Sequence, residues 1–264
     1  SLTDVRFTKG IDFDFPPGTV LKPGKFALVV NDLVKFRRAY GEEIPVVGEW
    51  DSDDNLSNGG EQIKLSFGAG TEIHNFNYDD DSPWPESADG AGRSLVLRTP
   101  SSSPRPDHKF ANNWRSSRLI GGSPGSDDEI SFDSWRQDFF ILSELEDLSI
   151  SGNDADPDTD GMSNFLEFFF GGHPKESGTA PVSVTLAQED GAKYLEITFD
   201  RRVGLGASFE IQNSRDLIDW KTDQDLVMVS IVDNADGTEA VRVRSGVGLP
   251  VDEQNFVRIK VVGE

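Results

Sequence analysis

The sequence predicts a mainly β protein built as two β-sandwich domains joined by a short helix–calcium loop–helix connector. Three observations predict it. Short runs alternating apolar and polar residues, bounded by Gly, Pro, Asn and Asp, recur through residues 1–127 and return through 177–264, the period of half-buried strands. Helical spacing is confined to the residues between, 128–176. Within them the stretch DPDTDGMSNFLE, Asp156 to Glu167, matches the calcium-loop pattern D-x-[DN]-x-[DN]-G-x5-E at every specified position.

At 264 residues the chain has ample length for two cores, and it has no cysteine, which excludes disulfides, thiolate nucleophiles and Cys-ligated metals. Its net charge of −22 opposes binding to nucleic acid and anionic membranes, and no apolar run reaches the length of a membrane span. The charge is uneven. Residues 128–176 hold thirteen acids and two bases, half of the total excess, which a bound cation would partly offset. No signal peptide is visible, and the opening SLTDVRF reads as the start of a piece of a longer extracellular or cell-surface protein.

In the first domain the expected strands are FALVV (26–30), VVGEW (46–50), QIKLSF (62–67), TEIHNFNY (71–78) and SLVLRT (94–99). TPSSSPRPDHK (99–109) and GGSPGSDDE have the composition of loops, and the second closes the domain near residue 127. The order FPPGTVLKPGKFALVVND, LSNGGEQIKLSFGAGTEI, YDDDSPWPESADGAGRSLVL and NNWRSSRLIGGSPGSDD resembles the lamin-tail domain in its bacterial, secreted form. That family's LSN-GE turn, its Y-x-D…WP…DG-x-G-SL run and its closing W-R…G-x-PG are all present. The resemblance implies an immunoglobulin-like sandwich, a non-catalytic module of a larger surface or secreted protein. The family opens with a further strand that is missing ahead of residues 1–10. Either an edge lies exposed, or something else fills the place.

Several residues in this domain invite functional readings. Asn58 and Glu61 are more simply the side chains that tie the amides of the LSNGGE turn. Trp50, Trp84 and Trp114 would serve a carbohydrate-binding module only if exposed and coplanar; packing is the expected role. His74 and His108 lack a ligand partner at metal spacing and read as bystanders. The run at 79–81, DDD, reads as a solvated turn.

The middle segment begins with FDSWRQDFFILSELEDL (132–148), expected as one helix with Asp133 as N-cap and Trp135, Phe139, Leu142 and Leu145 along its apolar face. In the loop, Asp156, Asp158 and Asp160 take positions 1, 3 and 5, Gly161 the sharp turn, the Met162 carbonyl position 7, Asn164 position 9 and Glu167 the bidentate position 12. Ca²⁺ is hard and takes six to eight oxygens, which alternating carboxylates in a tight turn supply. Without metal each close carboxylate pair would repel by roughly 3–4 kcal/mol at an effective dielectric near 20. Pro157 keeps Asp156 from continuing a helix, and Ser163 stands where paired loops carry an aliphatic residue. The loop resembles those of dockerin-type and thrombospondin-type repeats, a structural clip and not a sensor. Affinity is expected in the extracellular range, about 10⁻⁴–10⁻³ M or somewhat tighter. Ser163 can cap a following helix through NFLEFFF, stopped by Gly171, Gly172 and Pro174, with its Phe cluster packed on the first helix. The calcium would then set how the flanking domains sit. GGHPKE matches the G-x-x-P ending of a linker common in large secreted bacterial proteins, and His173 carries no metal role.

Residues 177–264 contain the expected strands VSVTLAQ (182–188), YLEITF (194–199), SFEIQNS (208–214), LVMVSIV (226–232), EAVRVR (239–244) and NFVRIKVV (255–262), with Asp-Gly turn signals in QEDGAK and DNADGT. Trp220 reads as a core plug. The arrangement resembles the C-terminal β-sandwich that follows such calcium linkers and carries no known active site. Each β-domain is expected to hold its own core.

No HExxH or P-loop occurs, and three scattered histidines offer no triad, so the protein reads as a non-enzyme. The favoured function is an extracellular structural or adhesive module with a calcium-rigidified connector. The alternative is a carbohydrate-binding accessory module of a secreted hydrolase. The partners expected are other domains of the parent protein and a cell-surface protein or polysaccharide.

Overall fold

The computed structural model describes residues 1–50, 54–98, 100, 104–189, 191–246, 248 and 256–263. Strand outweighs helix, 35% to 15%, so the protein is mainly β. Parts of the 99–109 loop, the QEDGAK turn and the strand expected from residue 255 lie outside the described residues. The chain divides into two compact units, Ser1–Asp128 and Glu129–Glu264. No helix among the described residues is long and apolar enough to cross a membrane.

In the first unit β1 (Val5–Lys9), β2 (Phe13–Asp14), β5 (Glu61–Phe67) and β6 (Thr71–Tyr78) form an antiparallel sheet in the order β2-β1-β5-β6. A second pair, β3 (Leu28–Val30) and β4 (Val46–Glu49), runs parallel. Parallel neighbours need a crossover, and here it contains a helix, α1 (Leu33–Tyr40), that the strand periodicity does not anticipate. Asp32 caps it, accepting from Lys35 N–H at 2.8 Å, and Arg37 and Arg38 lie in its last turn. A third pair joins β7 (Leu95–Leu97) to β8 (Trp114–Ser116). Val5, Ile11, Phe13 and Phe15 form the buried cluster, with Val29, Val47, Trp50 and Leu65 against it. The buried Arg115 guanidinium on β8 pairs with the Asp128 carboxylate and donates to its carbonyl at 2.7 Å, tying down the end of the unit.

The second unit carries two antiparallel sheets. One is ordered β13-β14-β10-β9, from β9 (Val182–Glu189), β10 (Ala192–Arg202), β13 (Val227–Asp233) and β14 (Thr238–Arg244). The other is β12-β11-β15, from β11 (Ser208–Ser214), β12 (Lys221–Thr222) and β15 (Phe256–Val262). Ile197, Phe199, Val241 and Val243 of the first sheet and Ile211 of the second belong to one core cluster. Trp220 does not plug it. Its ring lies under the Arg258 guanidinium at 4.2 Å, and its Nε1 donates to Leu217 C=O.

The expected helix 132–148 is broken into α2 (Phe132–Phe139), α3 (Leu142–Leu145) and α4 (Leu148–Ser151). Its cap is Ser131, which accepts from Ser134 N–H at 3.1 Å, and not Asp133. The break has a packing cause. Consecutive helical residues diverge by roughly 100°, and the break lets Phe139 and Phe140 reach the same cluster around Trp135. Extended backbone at Phe140 buries its ring and leaves Leu142, expected on the apolar face, 80% exposed.

The last helix, α5 (Asn164–Phe170), ends on Gly171 in the left-handed conformation at φ 85°, as its Gly-Gly stop predicts. Ser163 is its N-cap residue but makes no side-chain capping bond. The Phe cluster divides. Phe165 and Phe168 pack with Phe132, and Phe168 also with Trp135, whereas Phe169 and Phe170 lie in the β-core with Met162. The segment read as a helical connector lies within the second compact unit, and its last helix adds Phe169 and Phe170 to the core cluster that both sheets share.

Candidate metal centre

The loop before α5 folds on local chemistry. Thr159 and Gly161 both take positive φ, 63° and 95°. Nothing lies within 4 Å of where a Gly161 Cβ would stand, so conformation and not space calls for glycine there. Asp156 accepts from Gly161 N–H at 2.9 Å and Asp160 N–H at 3.2 Å, and Asp158 accepts from Asp160 N–H at 3.3 Å. These bonds curl the backbone until one oxygen from each of the three aspartates lies within 4.8 Å of the others.

Tertiary contacts complete the site. Asp160 accepts from Met162 N–H and, across the chain, from Gly178 N–H, both at 2.7 Å, so the segment after α5 returns to the loop. The Met162 side chain is buried in the β-core. Asn164 is fully buried, and its Nδ2 donates to Ile150 and Gly152 carbonyls at 2.9 Å, holding α4 against α5, a structural role that loop position alone does not reveal.

Glu167 is 1% exposed, and neither of its carboxylate oxygens has a partner. Asp158 Oδ2 and Asn164 Oδ1 are likewise buried without one. Among the described residues every unpartnered buried carboxylate or amide oxygen belongs to this loop. Buried acceptors without donors are costly, and a cation held by these four oxygens would offset that cost. The donor set is all oxygen and mostly anionic, which fits Ca²⁺.

Electrostatics agree with that fit. Burial, and after it the charges of Asp158, Asp160 and Asp156, push the Glu167 carboxyl up to about 7. Burial also raises Asp158, whereas the amides of Gly178 and Met162 lower Asp160. A carboxyl raised in the folded state contributes stability that is fully present below its unfolded value of 4.5 and lost as the pH rises through about 7. In chelator, the second unit should therefore gain roughly 3 kcal/mol from Glu167 between pH 8 and pH 4.5. The first unit runs the other way. Burial lowers both His74 and His108, so their contribution is present above 6.5 and lost as the pH falls through their lowered values. Thermal melts at pH 8 and pH 5 in chelator check both signs; the same sign for both units would refute the assignment.

The other candidates fall elsewhere. Asp79, Asp80 and Asp81 also converge, but Asp79 is engaged by the Asp80 and Asp81 amides in an exposed turn. Glu61 accepts from Ser57 N–H at 2.5 Å and from Tyr78 Oη at 3.2 Å, the turn-tying role expected of it. His74 and His108, 34 positions apart in the chain, meet with ring centroids 4.5 Å apart in a cluster with Phe76 and Trp114, a pairing sequence distance hides. Trp84 and Trp114 meet at 39°, and Trp50 packs in the Phe13 cluster, so three coplanar indoles do not form. His173 sets its ring against Phe139. Comparisons with protein-family models, with curated proteins and with solved structures find no match.

Proposed function

We propose that the protein is a non-catalytic extracellular or cell-surface module whose second unit is ordered by one Ca²⁺. The observation that carries this reading is Glu167, buried with both oxygens unpartnered beside three aspartates. Asp156, Asp158, Asp160, Glu167, Asn164 and the Met162 carbonyl are its proposed ligands. The resemblance to secreted lamin-tail domains supports an immunoglobulin-like sandwich for the first unit, and the core cluster shared by two sheets supports a sandwich for the second. In this reading calcium braces α5 against the sheets of its own unit, a narrower role than a hinge between domains. Carboxylates held by a metal inside an all-protein loop leave no open position for substrate, which suits a structural ion.

Calorimetric titration should give one site with a Kd near 10⁻⁴ M, tightened by preorganisation and weakened by the proton on Glu167 below about pH 7. Glu167→Gln keeps the shape but removes the bidentate charge and should abolish measurable binding. Equal affinity in wild type and Glu167→Gln would sink the proposal.

A further inference from the structure

The first unit carries a cleft that the metal loop does not explain. It lies beside β5, β6, β7 and β8 and encloses about 380 Å³. Its apolar lining comes from Leu56, Ile63, Phe76, Leu95 and the indole of Trp114. Trp114 is held rigidly: its ring rests 5.3 Å from Phe76 and 6.0 Å from Trp84, and its Nε1 donates to His108 C=O at 2.9 Å.

The polar lining has one sign. Asp79, Asp80 and Asp89 stand in it, and among the described lining residues there is no Lys, Arg or His. None of the three carboxylates enters an ion pair among the described residues. The Tyr78 hydroxyl is already engaged, donating to Ser57 C=O at 2.5 Å. Apart from the Asn58 amide and the Ser57 hydroxyl, the polar side chains of the cleft accept hydrogen bonds and offer negative charge, and they supply few donors.

We infer that this cleft binds an arginine or lysine side chain presented by a basic segment of a partner protein. Such a side chain has the required two parts, an apolar stem for the floor and a charged head for the carboxylates. Its head can also lie over the Trp114 face, where the ring quadrupole attracts a cation. Charge complementarity decides the occupant. A neutral oligosaccharide can donate its hydroxyls to the carboxylates but leaves their charge unpaired, while a phosphate backbone or anionic lipid is repelled. The inference concerns the first unit and stands independently of the calcium site.

The test is fluorescence anisotropy of a dye-labelled peptide with three arginines spaced by glycine, at physiological salt and saturating calcium so that the loop acids are engaged. The double variant Asp80→Asn/Asp89→Asn removes the charge of half-buried Asp80 and of exposed Asp89 and should weaken binding about tenfold. The variant Asp14→Asn/Glu43→Gln makes the same charge change at exposed positions of the same unit outside the cleft, and should stay within about twofold of wild type. The peptide should also shift the Trp114 indole N–H resonance, a readout that survives if a variant folds poorly. Equal weakening by both variants would mean attraction to net charge alone and overturn the inference. So would displacement by a neutral oligosaccharide, an unmoved Trp114 signal, or no binding.

Discussion

Chelating calcium should lower the melting temperature of the second unit by about 10 °C and leave the transition of the first unit in place. At a calcium concentration a hundred times Kd, a ligand that binds only the folded state stabilises by roughly 2.7 kcal/mol, and each kcal/mol moves a unit of this size by a few degrees. The effect should spread beyond the loop. Without the ion Asp156, Asp158 and Asp160 converge and their charges act on the buried Glu167, which stands two residues before Phe169 on α5. Loosening that helix withdraws Met162, Phe169 and Phe170 from the core they share with Phe199 and Val241. Limited proteolysis in chelator should accordingly begin near 148–165 and continue through the sheets, with no stable 177–264 fragment. Asp160→Ala should reproduce this in millimolar calcium, since Asp160 also accepts the Gly178 amide that closes the loop. A second unit that melts identically with chelator and with calcium would remove the ion from the account.

Phe169→Ala should destabilise the second unit by about 3–5 kcal/mol, the range for truncating a fully buried aromatic ring. Phe169 is 0% exposed, with its ring 5.0 Å from Phe170, 6.2 Å from Phe199 and 6.5 Å from Phe209. Removing it opens a cavity at the meeting of α5 with both sheets, and a fall of about 10–20 °C in melting temperature follows. Calcium affinity should fall as well, because the helix that carries Asn164 and Glu167 loses its anchor. The variant separates two architectures. If α5 belonged to a connector with its own small core, Phe169→Ala would leave the sheets melting as in wild type and change only protease sensitivity at 148–165.

The alternation in TEIHNFNY and SFEIQNS by itself determined strands that the structure places at Thr71–Tyr78 and Ser208–Ser214, since strand periodicity and flanking turn residues are local properties. Ligand spacing from Asp156 to Glu167 is local in the same way, as is the left-handed stop at Gly171. What surrounds an apolar face is not local, and the tertiary structure alone decided it. Phe165 and Phe168 turn to α2 while Phe169 and Phe170 enter the β-core, although all four follow one another on a seven-residue helix. The helix break at Phe140, the meeting of His74 with His108, and the division of Trp50 from Trp84 and Trp114 have the same origin. Spacing marks Glu167 as an acidic residue at position 12, and only the folded chain shows it buried with both oxygens unpartnered, because burial depends on how distant segments pack.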